Sequence, residues 1–127
     1  MKLEINKPYR ISELIEIVKN KFDRDFDSNG KEKYIRENIY DIYIAENQEL
    51  NEETVLFAGE TVKIDDEDNE IYPNEVLEKK FEMFFSCQNF QDIIDLAYSQ
   101  KNNASISDYI KCLKYYAEND TFLDIER

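Results

Sequence analysis

Carboxylates are the side chains of this sequence with the most capacity for chemistry, and one group of them lies in a short turn-like stretch. The stretch at 25–30 reads DFDSNG and matches the first six positions of an EF-hand loop, in which oxygens at positions 1, 3 and 5 bind calcium. The rest of the loop does not fit, because Glu32 occupies the hydrophobic position 8 and Arg36 replaces the bidentate glutamate at position 12. We therefore predict an Asp- and Asn-rich surface turn with Gly30 in the left-handed conformation, and no metal site.

A second, larger group of carboxylates occupies the middle third of the chain. The whole chain has 29 acidic and 16 basic residues and a net charge of −13, and residues 37–72 alone carry −11. Residues 1–36 carry +2 and residues 73–127 carry −4, so the acidity is localised. Five of the six residues at 65–70 are carboxylates. The pattern is typical either of a solvated surface that gives solubility or of a negative patch that steers and binds a basic partner.

The candidate partner-binding residues belong to two acidic loops of this segment and to a strand that precedes them. They are Glu49, Glu52, Glu53, Asp65, Asp66, Glu67, Asp68, Glu70, Tyr40 and Tyr43. Side chains alternate between the two faces of a strand, so we expect either Tyr40 or Tyr43 to face solvent and to serve as an aromatic anchor.

The composition excludes several classes of enzyme and of metal site. The chain contains no histidine, which excludes a Ser-His-Asp triad, a Cys-His pair and a His-bearing zinc or iron centre. Cys87 and Cys112 form no CxxC motif, and we expect two reduced, mostly buried thiols. Two carboxylates could act as acid and base, but carboxylates on one solvated loop are not held at different pKa values. We therefore predict a protein that is not an enzyme and has no cofactor.

The acidity also bears on partners and location. Binders of nucleic acid or of anionic membranes need clustered Lys and Arg, so we expect neither as a partner. No apolar run approaches 18 residues, and the N-terminus lacks the apolar region of a signal peptide. The sequence predicts a cytoplasmic protein that is a monomer or a weak dimer.

The elements that must position these residues are predicted from hydrophobic spacing and turn signals. Over residues 1–72 we expect an edge strand at 3–5, a helix capped by Ser12, a strand over 39–44 and a hairpin that pairs 55–58 with 61–64. The face of the first helix should carry Leu14, Ile15, Val18 and Phe22. Over residues 73–127 we expect about three helices of the same single domain, which spans 1–127.

The three C-terminal helices are placed by their apolar stripes and caps. The first opens at Pro73 and Asn74 and continues through Phe81, Phe84 and Phe85 to a break at Ser86. The second is capped by Asn89, and the third begins with the capping pair Ser105 and Asp108. Three tyrosines should fill the core, namely Tyr98, Tyr109 and Tyr116. We predict an α+β fold with a small, mainly antiparallel sheet, an N-terminal helix and a C-terminal cluster of about three helices.

Three stretches over roughly residues 54–124 carry a resemblance to known proteins. They are TVKIDDEDNEIYPN at 61–74, QDII at 91–94 with Ala97 and the pair at 100–101, and LKYY at 113–116 with Asn119, Asp120 and Phe122. In these stretches the sequence resembles a family of small bacterial proteins that look like immunity or orphan-immunity proteins of contact-dependent, polymorphic toxin systems. The resemblance implies a cytoplasmic antitoxin whose partner is a cognate toxin domain.

The leading functional hypothesis is an immunity protein that binds and neutralises a cognate bacterial toxin domain, in particular a basic nuclease, through an acidic surface. The alternative is an acidic nucleic-acid mimic that inhibits a nuclease or another DNA- or RNA-binding protein. A small calcium-binding or carboxylate-based enzyme is the third hypothesis.

Overall fold

The fold is described from a computed structural model, which covers residues 3–33, 35, 38–46 and 48–125. Strands and helices are numbered in chain order. The strands are β1 Lys7–Arg10, β2 Asp25–Phe26, β3 Glu32–Lys33, β4 Asp41–Ala45, β5 Val55–Gly59, β6 Lys63–Ile64, β7 Glu70–Ile71 and β8 Phe81–Ser86. The helices are α1 Ile11–Lys19, α2 Asn74–Glu78, α3 Cys87–Gln100 and α4 Ile106–Asn119.

Four of the strands form one antiparallel sheet in the order β1-β5-β4-β8. The remaining strands form two separate hairpins, β2–β3 and β6–β7. The N-terminal helix α1 and the C-terminal helices accompany the sheet, so the predicted α+β fold is confirmed. No helix within the described ranges is long and apolar enough to cross a membrane.

The two central strands of the sheet, β4 and β5, are largely buried on both faces. The main core joins Ile42 and Ile44 of β4 to apolar side chains of α1, α3 and α4. A second, smaller core lies on the opposite face, where Tyr43 and Phe57 pack against Val76 of α2. Segment 60–80 therefore covers part of the face that a simple two-layer fold would leave in water.

The beginning of the chain differs from the prediction in its boundaries. The strand does not lie at 3–5 but at β1, which leads directly into α1, so the helix begins before Ser12. Arg10 is the N-cap residue, and Glu13 in the first turn accepts a hydrogen bond from its backbone N–H at 3.2 Å. Phe22 lies beyond α1 and is exposed, although Leu14, Ile15 and Val18 are buried as predicted.

The segment after β5 does not return as its hairpin partner. β5 pairs with β1 and β4, whereas β6 pairs with β7. The predicted hairpin of 55–58 with 61–64 is wrong, because both sides of β5 are taken by strands that come earlier in the chain, β1 and β4.

The aromatic stretch FEMFFS differs most from its predicted structure, because it is a strand and not part of a helix. The helix that opens after Pro73 ends at Glu78, and Lys80 has a positive φ of 56°, which reverses the chain. Residues Phe81–Ser86 then form β8. Pairing with β4 buries Phe85 in the main core and packs Phe81 against Phe57. This stabilisation depends on distant residues, so the spacing of apolar residues within 73–86 could not indicate it.

The last two helices are present, with one shifted cap. Ser86 rather than Asn89 caps α3, and its hydroxyl accepts the N–H of Asn89 at 3.2 Å. Ser105 and Asp108 form the predicted capping box of α4. Tyr109 is buried and Tyr116 is half-buried, whereas Tyr98 is exposed and does not fill the core.

Candidate functional site

The densest run of carboxylates forms the turn of the β6–β7 hairpin, which we call the acidic hairpin (residues 63–71). The backbone N–H of Asp65 donates to the carbonyl of Asn69 at 3.0 Å, and the N–H of Asp68 donates to the carbonyl of Asp65 at 3.1 Å. Asp68 has a φ of 63°, which is the left-handed conformation that aspartate tolerates better than most residues. These contacts give a three-residue hairpin loop of the type that begins with a type I turn.

Asp65 is a structural residue of this turn. One of its carboxylate oxygens accepts the backbone N–H groups of Glu67 and Asn69, both at 2.9 Å. The backbone hydrogen bond from Asn69 contributes most to holding the pKa of Asp65 below its usual value. The carboxylate is therefore used to shape the loop.

The other carboxylates of the acidic hairpin face water. Asp66, Glu67, Asp68 and Glu70 are all exposed. The phenol of Tyr72 donates to Glu70 at 2.5 Å, and this hydrogen bond raises the pKa of the phenol.

Two large apolar side chains accompany these charges. Ile64 is 60% exposed and Ile71 is 49% exposed. In the β6–β7 register Ile64 lies opposite Glu70 and Ile71 lies opposite Lys63, so the two isoleucines project from opposite faces of the hairpin. The acidic hairpin therefore combines negative charge with exposed apolar surface.

The remaining predicted carboxylates belong to a different part of the surface. Glu49, Glu52 and Glu53 are exposed and precede the first residue of β5, whereas the acidic hairpin follows the last. A strand rises about 3.3 Å per residue, so the two acidic segments join β5 at points about 13 Å apart. The predicted acidic patch is therefore divided between the two ends of a strand.

Neither of the two predicted aromatic anchors reaches the surface. Tyr40 and Tyr43 are both fully buried, so the expectation that one faces solvent is wrong. Tyr40 lies just before β4 in the main core, and Tyr43 lies in the second core, where its phenol donates to the carbonyl of Glu60 at 2.6 Å. Burial raises the pKa of both phenols, and the charge of Asp23 raises that of Tyr40 further.

A buried polar network around Asp23 was not found from the sequence. The carboxylate is 1% exposed and accepts hydrogen bonds from the Tyr40 phenol and the Gln91 amide, both at 2.7 Å. Its second oxygen accepts the Nε–H of Arg24 at 3.0 Å. The guanidinium of Arg24 also donates to both oxygens of Asp95, at 2.7 and 3.2 Å. In the sequence, the adjacent charges of Asp23 and Arg24 indicate an ion pair at most. They do not indicate that Tyr40, Gln91 and Asp95 are the other partners.

Electrostatics favour the charged form of this arginine. Burial acts to lower the pKa of Arg24, but the hydrogen bonds to Asp95 and the charge of Asp23 outweigh it, so the pKa is raised. The network joins the base of the β2–β3 hairpin to α3 and is a satisfied ion cluster.

A cavity of about 340 Å³ lies beside this network. Its wall includes Asp23, Lys33, Asp41 and the thiol-bearing Cys87. Burial raises the pKa of the Cys87 thiol, which disfavours the reactive thiolate, and Cys87 and Cys112 are free thiols as predicted. Burial also raises the pKa of Asp41, although the N–H of Val62 hydrogen-bonds to its carboxylate at 3.0 Å and opposes the shift.

The calcium-like stretch at 25–30 forms a hairpin turn. Asp27 accepts the backbone N–H groups of Asn29 and Lys31 at 2.8 and 3.0 Å, and Gly30 has a φ of 80°. The predicted turn with a left-handed glycine is confirmed. Arg36, which corresponds to position 12 of the EF-hand loop, lies outside the described residues. Among the residues that are described, no three acidic or cysteine side chains form a group that could hold a metal ion.

Comparison with known proteins identifies one relationship. No curated protein and no solved structure gives a significant match. Residues 29–125 match the model of a domain of unknown function, DUF7716. This match begins within the turn of the β2–β3 hairpin, covers the whole of the acidic hairpin, and covers the four-stranded sheet apart from β1. The chain belongs to the DUF7716 family.

Proposed function

We propose that this protein is a non-enzymatic inhibitor that binds a basic protein partner through the acidic hairpin, and that the partner is a bacterial toxin domain of which it is the immunity protein. The toxin assignment rests on the sequence resemblance over residues 54–124. The choice of surface rests on the geometry of the hairpin.

The observation that carries the proposal is the exposure of Ile64 and Ile71 among carboxylates. A two-stranded hairpin alone is marginally stable in water, and these isoleucines do not bury enough surface to change that. A partner cleft that enclosed both faces of the hairpin would remove this apolar area from water, with each isoleucine contributing about 1 kcal/mol. Exposed apolar surface rimmed by charge is typical of a protein-binding site.

Charge supports a basic partner over other partners. The three consecutive carboxylates Asp66, Glu67 and Asp68 occupy the tip of the hairpin and are exposed. Nucleases need basic clefts to hold phosphates, so carboxylates can occupy such clefts and block them. The division of the acidic residues between two ends of β5 makes the hairpin, rather than a continuous patch, the inhibitory element.

The proposal predicts that a toxin domain is encoded beside the gene, and co-expression with that domain tests the function. The wild-type protein should restore growth and should co-purify with that domain. An absence of both rescue and binding would reject the immunity assignment.

Two matched triple variants test the acidic hairpin. The variant Asp66→Asn, Glu67→Gln, Asp68→Asn removes three charges from the tip and leaves Asp65 to shape the turn. The variant Glu46→Gln, Glu52→Gln, Glu53→Gln removes three exposed charges from the segment that precedes β5. We expect the first to slow association with the toxin domain about tenfold at low salt, and the second to change it less than about twofold.

Because both variants have the same net charge, a difference between them reports the position of the charges. Equal effects of the two variants would mean that only overall charge matters, and the hairpin would then not be the binding element. The rate difference should shrink as salt is added, since exposed charges are screened.

A further inference from the structure

The two edges of the four-stranded sheet are not equivalent. β1 forms one edge and contains Pro8, which has no N–H to donate, between the charged residues Lys7 and Arg10. β8 forms the other edge and has the sequence FEMFFS, with no proline and one charge, Glu82. Proline and charge protect sheet edges against added strands, so β1 is protected and β8 is open.

The backbone of β8 has unused hydrogen-bonding groups. Among the described residues, the ladder with β4 supplies every backbone hydrogen bond found for Phe81–Phe85. Glu82 and Met83 are exposed, so solvent reaches this edge. The N–H and C=O groups that point away from β4 are therefore available to an incoming strand.

The register limits where such a strand can pair. Phe81, Glu82 and Met83 pair regularly with β4, but the register shifts between Tyr43 and Ile42, so Phe84 is the extra residue of a bulge. A bulge re-aims side chains, and Phe84 here lines a cavity of about 310 Å³. A strand that pairs along Phe81–Met83 would continue toward this cavity.

The charge around the edge indicates the chemistry of the occupant. Besides Phe84, the cavity has apolar walls from Leu50 and Ala117 and charged walls from Glu49, Glu118 and Lys114. A lysine or arginine side chain can pack its methylenes on the apolar wall while its charge meets the two glutamates. A second copy of this chain would instead bring a net charge of −13 against −13.

We propose that β8 is a docking edge to which an extended, lysine- or arginine-rich segment of another protein adds as a fifth strand. The site is distinct from the acidic hairpin, which is not part of this sheet, and the proposal goes beyond the inhibitor function. Backbone hydrogen bonds would supply affinity, and Glu82 with the cavity beside Phe84 would select basic side chains.

A synthetic peptide of alternating lysine and valine, about ten residues long, is a suitable probe because it exceeds β8 in length. Amide hydrogen exchange followed by NMR should show slower exchange, by about tenfold, at one or more of the amides of residues 81–84 when the peptide is present. Exchange slowed only at residues 63–71, or dimerisation of the protein through β8 measured by light scattering, would overturn the proposal.

Two N-methylated forms of the peptide separate strand addition from general charge attraction. In each form, alternate backbone amides are methylated, so that only one edge of the peptide loses its donors. An added strand uses one edge, and we expect one form to bind at least about tenfold more weakly and the other to bind normally. Equal binding of both forms would overturn the proposal, and this test needs no variant of the protein.

A matched pair of substitutions tests whether the peptide binds at the β8 edge. Met83 and Val55 are similarly exposed, at 42% and 46%, and lie on the same face of the sheet, but Val55 belongs to the interior strand β5. We expect Met83→Lys to weaken peptide binding about fivefold, because the new ammonium group would lie among the valine side chains on that face of the added strand, and Val55→Lys to leave it within about twofold. Equal weakening by both substitutions would overturn the proposal.

Discussion

The two small hairpins of this protein have the same turn but differ in how extensively they are attached to the rest of the molecule. In each, an aspartate accepts the backbone N–H groups two and four residues later, Asp27 in β2–β3 and Asp65 in β6–β7. In each, the fourth residue of the turn is left-handed, Gly30 in the first and Asp68 in the second. The shared geometry arises from local hydrogen bonds of an aspartate with its own turn.

What differs is how each hairpin is joined to the rest of the molecule. Two residues before β2–β3, the buried Asp23 is tied to Tyr40 and Gln91, and Asn38 donates to Asp25 at 2.6 Å. The strands of β6–β7 pair with each other, and all four of their residues are exposed. The same turn therefore serves one hairpin that a buried network of several side chains fixes, and another whose strands are exposed and whose base is held by the second core and by the hydrogen bond of Val62 with Asp41.

Removing the anchor of β2–β3 should have the largest effect. Asp23→Ala would leave the Tyr40 phenol and the Gln91 amide buried without their acceptor, and it would remove one of the two carboxylates that the buried Arg24 guanidinium contacts. We expect the free energy of unfolding in urea to fall by about 3–5 kcal/mol, the cost of breaking a buried ion pair from one side. Asp95→Ala is the control, because its carboxylate is 36% exposed and Arg24 keeps Asp23, and we expect a clearly smaller loss. Equal losses would show that Asp23 is not the anchor.

The left-handed residue gives the next largest effect and contrasts the two hairpins directly. Gly30→Ala places a side chain at a φ of 80°, where no atom lies within 4 Å of the new Cβ, so the cost is conformational. We expect a loss of about 1–2 kcal/mol in the free energy of unfolding.

Asp68→Gly is the reverse change in the other hairpin. It should leave the free energy of global unfolding unchanged and slow amide exchange over 63–71 by about threefold, because the acidic hairpin opens locally. A change in global stability as large as that of Gly30→Ala would contradict the separation of the two hairpins.

The turn aspartates should show the same contrast with a smaller magnitude. Asp27→Ala removes two hydrogen bonds from an anchored hairpin, and we expect it to lower the free energy of unfolding by about 1 kcal/mol. Asp65→Ala should leave global stability unchanged while the amides of Glu67 and Asn69 exchange faster. Urea unfolding and amide exchange measured on both variants test this, and matching global losses would contradict it.

The smallest expected effect is a response of the acidic hairpin to acid. The pKa of Asp65 is lowered in the folded protein, so its contribution is present above the unfolded pKa and is lost as the pH falls through the folded pKa. In NMR spectra recorded from about pH 5 down to about pH 2, the amide signals of Glu67 and Asn69 should shift toward unfolded values. Asp65→Asn should remove that transition, and an identical transition in the variant would assign it to another group.

The sequence by itself determined the local features. The turn at 25–30 follows from an aspartate, an asparagine and a glycine at fixed spacing, and the capping box of Ser105 and Asp108 follows from two residues three apart. The buried faces of α1 and α3 follow from apolar spacing, because helical periodicity needs no information from distant residues. The α+β class and the concentration of negative charge in residues 37–72 also follow from the sequence.

Tertiary structure decided what each local piece became. FEMFFS is a strand because β4 offers it a partner, and Tyr43 is buried because segment 60–80 covers its face of the sheet. Asp23 became an anchor and Asp65 did not, since Gln91, Tyr40 and Arg24 converge on one carboxylate from separate parts of the chain. Burial and long-range pairing depend on the whole packed molecule, and a local pattern of residues contains no information about which distant surface will meet it.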